Sequence, residues 1–398
     1  MKIAVIGGGI IGLTTARELT LAGHDVTLIE QASQVGQATS YANGAQLSYA
    51  YVQPLANPAT FLAIPHYLFS AHSPLRFSPS LDWRQWAWCL EFLWACRPGQ
   101  SDRATFALLQ IANLSRKAFD QWHTAGQDIH YQANGKLVIY PSADSLAGAQ
   151  KQLDLQRQHG SEQTLLSKAE CLEIEPALAP YRDHFAGGVW TPGECVADCY
   201  RVCQQLAHEL SAAGVAIQTQ QTVSRLQSRA DGVLLQMGQH EQRYDHVVLS
   251  AGHQTVHLAQ QLGHYLPIYP LKGYSITLPS RCLQHMPKRS VTDIQRKVVF
   301  APIGDQLRIA GMAELCGADR SIPTTRIETL YEATDALFGI RTRPQDDARW
   351  AGLRPATPTG LPIIRQLSQR VSVNAGHGAL GFTLAFGAAR MLAGLLKA

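Results

Sequence analysis

The sequence predicts an α/β fold in which a Rossmann-like dinucleotide-binding domain is interleaved with a mixed, largely antiparallel β-sheet domain. Three observations carry this expectation. The chain opens with a glycine-rich strand–turn–helix, further strands ending in small residues occur in the middle and near the end, and β-patterned segments lie between them. Residues 1–70, 193–266 and 346–398 are therefore expected to bind the dinucleotide, and 71–192 and 267–345 to form a substrate domain.

The first unit is read from Ile3-Ala4-Val5-Ile6-Gly7-Gly8-Gly9-Ile10-Ile11-Gly12 and the later run Val26-Thr27-Leu28-Ile29-Glu30. Met1 to Ile6 has the continuous apolar character of a buried parallel strand. Gly7 permits the tight turn, Gly9 lets backbone approach a pyrophosphate, and Gly12 lets the helix pack closely on the strand. The helix N-terminus offers unpaired N–H groups and the positive end of a dipole. Thr14 to Ala22 continues the helix, Gly23 stops it, and Val26 to Ile29 is the second strand. Glu30 then accepts hydrogen bonds from ribose hydroxyls and repels a 2'-phosphate, which favours FAD or NAD over NADP.

Further along, Trp83–Cys96 and Phe106–Trp122 read as helices separated by a Pro98-Gly99 break, and Tyr131–Tyr140 and Gly187–Trp190 as strands. A helix is expected from Thr191-Pro192-Gly193 to about Gly214. Short strands follow at 215–218, 223–226, 233–237 and 246–249. The segment 268–309 is again β-patterned, a helix lies near 326–338, and a strand at 371–374 leads into a helix over 380–396.

The 398 residues carry a formal charge of +4 without a basic run, which argues against a nucleic-acid partner. The glycine loop explains the N-terminus better than an export signal does, so a cytoplasmic location is expected. No uninterrupted apolar run of the length that spans a bilayer stands out. Eight cysteines without a compact framework suggest reduced thiols. Cys195, Cys199 and Cys203 would form one helical stripe, read as core rather than metal site, and no metal is expected. His253 and His257 read as surface or cap residues. The tryptophans Trp83, Trp86, Trp88 and Trp94 read first as helix packing, with a membrane-interface face as the alternative.

Two later segments separate FAD from NAD. The strand 246–249 ends at Ser250-Ala251-Gly252, where backbone can approach a bound dinucleotide. Asn374-Ala375-Gly376-His377-Gly378-Ala379-Leu380-Gly381 is a strand entering a glycine-rich helix start, whose N–H groups could stabilise a reduced isoalloxazine. Together with the first loop they suit one long FAD.

Nearly the whole chain resembles the FAD-dependent D-amino-acid oxidase superfamily, particularly the D-amino-acid dehydrogenase small-subunit type. The resemblance is carried by Thr39-Ser40-Tyr41-Ala42-Asn43, Gln46-Leu47-Ser48, Tyr51, Pro54, Thr191-Pro192-Gly193, Asp198-Cys199, Tyr269-Pro270-Leu271-Lys272-Gly273-Tyr274-Ser275, Gly311-Met312-Ala313-Glu314, Trp350-Ala351-Gly352-Leu353-Arg354-Pro355 and Asn374-Ala375-Gly376-His377-Gly378. Gly44-Ala45 reverses the order expected beside the flavin, Leu55 replaces a frequent Trp, and Ile294 replaces an acid. These departures bear on the substrate more than on the chemistry.

The resemblance implies oxidation of an amino acid, expected to be D-configured and of the D-alanine or D-proline kind, to an imino or 2-oxo acid. Electrons would pass to a quinone or another acceptor. A glycine- or sarcosine-type oxidase that makes hydrogen peroxide and a non-catalytic flavin-binding sensor or assembly subunit are the alternatives. Arg354 is the expected carboxylate anchor, because a guanidinium gives planar two-point binding. Tyr51 and Tyr274 are expected hydroxyl donors, and Lys272 a positive charge near the flavin. The expected cofactor contacts are Gly7, Gly9, Gly12, Glu30, Ser40, Asn43, Gly44, Ala251, Gly252, Gly376, His377, Gly378, Leu380 and Gly381. Expected partners are the amino-acid substrate and the electron acceptor. A peripheral contact on the inner face of the cytoplasmic membrane and an additional subunit are compatible with this reading.

Overall fold

The computed structural model describes residues 1–69, 75–124, 126–157, 160–346 and 348–396. The chain begins with β1 (Lys2–Ile6), α1 (Ile10–Leu21) and β2 (Asp25–Ile29). The two strands are parallel, with Lys2 opposite Asp25 and Ile6 opposite Ile29. After its first residue each is fully buried, as a strand covered on both faces requires. β3 (Gln46–Leu47), α2 (Pro58–Phe69), β4 (Leu75–Phe77), α3 (Trp83–Ala95) and α4 (Pro98–Trp122) follow. The Pro98-Gly99 break begins α4 rather than linking to Phe106, because a proline in the first turn forfeits an N–H that would have no helical partner.

The middle of the chain contributes β5 (Lys136–Tyr140), α5 (Ala143–Arg157), β6 (Thr164–Ser167), α6 (Lys168–Ile174), β7 (Gly187–Thr191), β8 (Cys195–Val196) and α7 (Cys199–Ala212). Helix α7 begins later than the expected Thr191, because Asp198 caps it by accepting from the N–H groups of Tyr200 and Arg201. Cys195 therefore lies on a strand, off the helical stripe of Cys199 and Cys203. All three are buried in one apolar core.

Next come β9 (Ala216–Gln218), β10 (Val223–Arg229), β11 (Gly232–Met237), β12 (His240–Tyr244), β13 (His246–Leu249) and α8 (Thr255–Gln260). The last part contains β14 (Tyr269–Pro279), β15 (Ser290–Asp293), β16 (Val298–Ile303), β17 (Gln306–Leu315), α9 (Thr324–Phe338), β18 (Trp350–Ala356), β19 (Ile363–Ser368), β20 (Val371–Ala375) and α10 (Gly381–Leu395).

A six-stranded sheet, ordered β19-β20-β13-β1-β2-β9, gathers strands from the beginning, middle and end of the chain. A nine-stranded sheet has the order β18-β14-β17-β16-β15-β5-β7-β6, with β4 beside β17. β18 departs from the expected grouping. Although it lies within 346–398, it pairs antiparallel with β14, from Tyr269 opposite Ala356 to Ser275 opposite Trp350. Arg354 is thereby carried by the second sheet. The segment Gly378–Leu395, most of which is α10, is long and apolar enough to cross a membrane, yet α10 packs against α1 and α4 and buries Phe382, Leu384, Ala385 and Phe386 in the core.

The packing expectation for the tryptophans of α3 is met by Trp88, which is buried and donates from its indole N–H to the Ala356 carbonyl at 2.8 Å. Trp83, Trp86 and Trp94 are 61%, 49% and 48% exposed, beside Leu90 at 69%. That face is uncovered among the described residues.

Candidate active site

A cavity of about 720 Å³ is lined by residues from both sheets. Gly7, Gly9 and Glu30 line one region, and Tyr51, Lys297 and Arg354 another.

At the first region, the turn from β1 to α1 is built by close approaches. Gly7 has φ +110°, and a Cβ there would stand 2.5 Å from the Ser250 carbonyl oxygen. A Cβ at Gly12 would collide with the Gly7 carbonyl. Glu30 accepts from Gly8 N–H at 2.6 Å and from Ala32 N–H at 2.8 Å, one bond to each carboxylate oxygen. Each oxygen retains a lone pair toward the cavity for a ribose hydroxyl. Ser40 acts on the helix itself: its hydroxyl accepts from Ile10 N–H at 3.0 Å. Gly12→Ala forces backbone apart, so it is expected to purify with little flavin, seen as a fall in the 450-to-280 nm absorbance ratio. Overpacking of this kind costs about 1–3 kcal/mol, or roughly 5- to 150-fold in cofactor affinity.

Ala251, Gly252, His377, Gly378, Leu380 and Gly381 line the cavity, as do Asn43 and Gly44. Gly376 does not. Its φ of +84° and the approach of Thr357 to within 2.7 Å of a would-be Cβ make it a turn glycine behind the wall. Asn43 shapes its own loop, its side chain accepting from Ala45 N–H and its carbonyl from Arg308. The left-handed φ of +55° falls on Ala45 rather than on Gly44, which accommodates the reversed pair at a conformational cost of about 1–2 kcal/mol. Both ring nitrogens of His377 are buried without a hydrogen-bond partner, and burial pushes its pKa down to about 3. A neutral imidazole with two unmatched nitrogens at a cavity wall suits a ligand that supplies the partners.

The substrate region is organised by strand parity. Gly273 pairs with Gly352, and Leu271 with Arg354, so Arg354 shares a face with Gly273 while Lys272 and Tyr274 point to the other side. The Arg354 guanidinium lies over Gly273, where any side chain would collide with it, and Trp350 lies over Gly352. One guanidinium nitrogen donates to the Met312 carbonyl at 2.8 Å. That carbonyl comes from a β-bulge: Tyr274 pairs with Gly311 but Lys272 with Glu314, and Met312 takes a φ of +62°. Among the described residues no carboxylate lies within ion-pair distance of Arg354, and burial alone lowers its pKa to about 10.

This parity governs two of the expected substrate contacts, Tyr274 and Lys272. The Tyr274 side chain reaches the cavity wall, but its hydroxyl donates to Glu314 at 2.7 Å in the core behind the sheet. Lys272 does not line the cavity. Its ammonium donates to Asp319 at 2.6 Å and stands 3.6 Å from Glu314, which also accepts from Arg326 at 2.6 Å. Tyr51 does line the cavity, its hydroxyl 3.3 Å from that of Tyr140 and its ring 4.7 Å from the Lys136 ammonium.

Sequence reasoning missed Lys136 and Lys297, both of which line the cavity. Lys136 donates to Ser48 at 3.0 Å, and burial lowers its pKa to about 8 against the opposing effect of Glu194. Glu194 in turn accepts from the N–H groups of Tyr49, Ala50 and Tyr51, fixing the loop that carries Tyr51. The available signal was a lysine opening a continuously apolar strand in a chain with only 16% charged residues.

A glycine-rich turn on a mostly parallel sheet and cationic side chains on a second, mostly antiparallel sheet line one cavity, an arrangement that suits a dinucleotide-dependent oxidoreductase. The chain belongs to the DAO family, described as FAD dependent oxidoreductase, which it matches over residues 2–395. It is 42% identical to "D-amino acid dehydrogenase 2" of Ralstonia nicotianae, with 100% of this chain and 96% of the relative covered. It is 41% identical to the protein of the same name from Pseudomonas aeruginosa, over 98% and 94%. Among solved structures, glycine oxidase from Geobacillus kaustophilus superposes with a TM-score of 0.75 at 21% identity, covering 99% and 94%. L-proline dehydrogenase from P. horikoshii gives 0.73 at 17%, covering 100% and 93%. These two likenesses concern the fold.

The cofactor is FAD, and the cavity fits it. The Gly7–Gly12 turn and Glu30 suit an adenosine diphosphate, while His377, with both ring nitrogens unmatched, and the 378–381 helix start line the cavity further along.

Proposed function

We propose that this chain is an FAD-dependent D-amino-acid dehydrogenase. It converts a D-amino acid to the imino acid, which water hydrolyses to a 2-oxo acid and ammonia, and its electrons go to a quinone or another acceptor. The observation that carries the reading is the Arg354 guanidinium, facing the cavity with no acid among the described residues to neutralise it. The names of the relatives from Ralstonia and Pseudomonas support the substrate class. Bound FAD supplies the hydride acceptor. Arg354 holds the α-carboxylate by two parallel charge-assisted bonds, which fixes the α-carbon. The bulged Met312 carbonyl keeps the guanidinium aimed, and the Tyr51 hydroxyl offers a further polar contact. Anaerobic mixing with separate D- and L-amino acids tests the reading. Flavin bleaching by D-amino acids is expected, with faster turnover on an artificial quinone than on oxygen. No bleaching across the panel would defeat it.

Contact with a membrane, where a quinone resides, is part of the proposal. Leu75 lines the cavity, and Phe77, two residues along β4, meets Trp86 edge-on at 5.6 Å. Cavity wall and exposed tryptophan face are therefore linked through one short strand. Exposed indoles favour the interfacial zone of a bilayer. The protein is expected to float with liposomes, and Trp86→Ser combined with Leu90→Ser to remain in the soluble fraction. Absence of the wild type from the liposome layer at low salt rejects the contact.

A further inference from the structure

The substrate region holds a second cation to which no role has yet been given. Lys297 precedes β16, along which Val298 and Phe300 are buried in the core behind the sheet while Lys297 and Val299 line the cavity. Val298 pairs with Gly311 and Val299 with Ala310. Lys297 therefore stands beside the β17 bulge whose Met312 carbonyl accepts from Arg354. The guanidinium leans over Gly273 on β14, and β14 is two strands from β16. At ~4.8 Å per strand those backbones are roughly 10 Å apart, a gap that two long cationic side chains and one small diacid can span.

The buried cations on this sheet and on the helix α9 packed against it have acids. Lys272 has Asp319 and Glu314, Arg308 faces Asp198 at 4.0 Å, and Arg326 has Glu314. Lys136 feels Glu194. Arg354 and Lys297 have none among the described residues, and Lys297 has no hydrogen-bonding partner there either. Among the residues that line the cavity, the acid is Glu30, at the nucleotide end. A partly desolvated ammonium without an anion is costly, and here two half-buried cations without acids share one pocket.

We infer that Lys297 is a specificity-determining residue that pairs with the side-chain carboxylate of an acidic D-amino acid whose α-carboxylate is held by Arg354. The preferred substrates are then amino dicarboxylic acids. A basic side chain is rejected by like charge, and a neutral one leaves the ammonium unpaired. This inference rests on the D-amino-acid reading above.

The test compares kcat/KM for D-glutamate, D-aspartate, D-alanine and D-lysine in the wild type, Lys297→Met and Lys297→Glu, all with flavin bound. The wild type is expected to prefer an acidic substrate. Lys297→Met should lower the acidic-to-neutral ratio on the order of 100-fold, mainly through KM, and Lys297→Glu should rank D-lysine above D-glutamate. A ratio unchanged within threefold in Lys297→Met overturns the inference, as does a wild type that prefers D-alanine to both acids. Glutarate binding, read from the bound-flavin spectrum against butyrate, separates this inference from the function it rests on. Absence of turnover on any D-amino acid defeats the function. The role of Lys297 fails if Lys297→Met binds glutarate as tightly as the wild type.

Discussion

Replacing Arg354 by methionine is expected to lower kcat/KM for D-amino acids on the order of 10²- to 10³-fold while the flavin stays bound. Removing one partner of a desolvated charge pair costs about 2–5 kcal/mol, and in the proposed function the lost partner is the cation that holds the substrate carboxylate. Methionine fills part of the volume that the guanidinium occupies over Gly273. Arg354→Lys should recover little, because an ammonium cannot make the planar two-point contact or keep the fixed bond to the Met312 carbonyl. Steady-state kinetics with flavin content measured in parallel decides the matter. A loss under threefold in a flavin-replete Arg354→Met protein would show that the carboxylate is anchored elsewhere.

How far this site could be read in the sequence follows from the kind of constraint at each residue. The nucleotide end was legible because its constraints are local. The Gly7, Gly9 and Gly12 offsets, the helix length and Glu30 sit within one β1–α1–β2 unit whose geometry is nearly fixed. Arg354 was legible through the words around it, though its strand belongs to the second sheet. The side on which Lys272 and Tyr274 lie was not legible, because it depends on pairing with β18, and a one-residue change in parity moves a side chain to the other face. The β17 bulge that re-aims Met312 is likewise invisible until Gly311 and Glu314 are seen opposite Tyr274 and Lys272. Gly376 reads as a ligand contact because it stands at a glycine-rich helix start after a strand, but in the structure its missing Cβ makes room for Thr357. Lys136 and Lys297 carry no motif, and only the alternation of their strands shows that they face inward. The exposed face of α3 could not be separated from a packing face by periodicity, which reports amphipathicity and not what covers it.

The buried ion cluster behind the sheet is where a change far from the substrate should matter most. Glu314 accepts from Arg326 and from the Tyr274 hydroxyl, and faces Lys272, all nearly inaccessible to solvent. Glu314→Gln preserves the shape and removes the charge, leaving Arg326 without this acid and Lys272 with Asp319 alone. Breaking a buried pair in this way costs about 3–5 kcal/mol. At the usual entropy of unfolding per residue, that is a fall in melting temperature of roughly 4–6 °C for a chain of this size. Glu314 also ends the β17 bulge opposite Lys272, two residues from the carbonyl that aims Arg354. The variant is therefore expected to raise KM for the amino acid at temperatures where it remains folded, with kcat changed less. Melting curves and KM together test this. A melting temperature within 1 °C of wild type would show that the cluster is neutral to stability, and a lower melting temperature with an unchanged KM would show that the bulge holds its geometry without it.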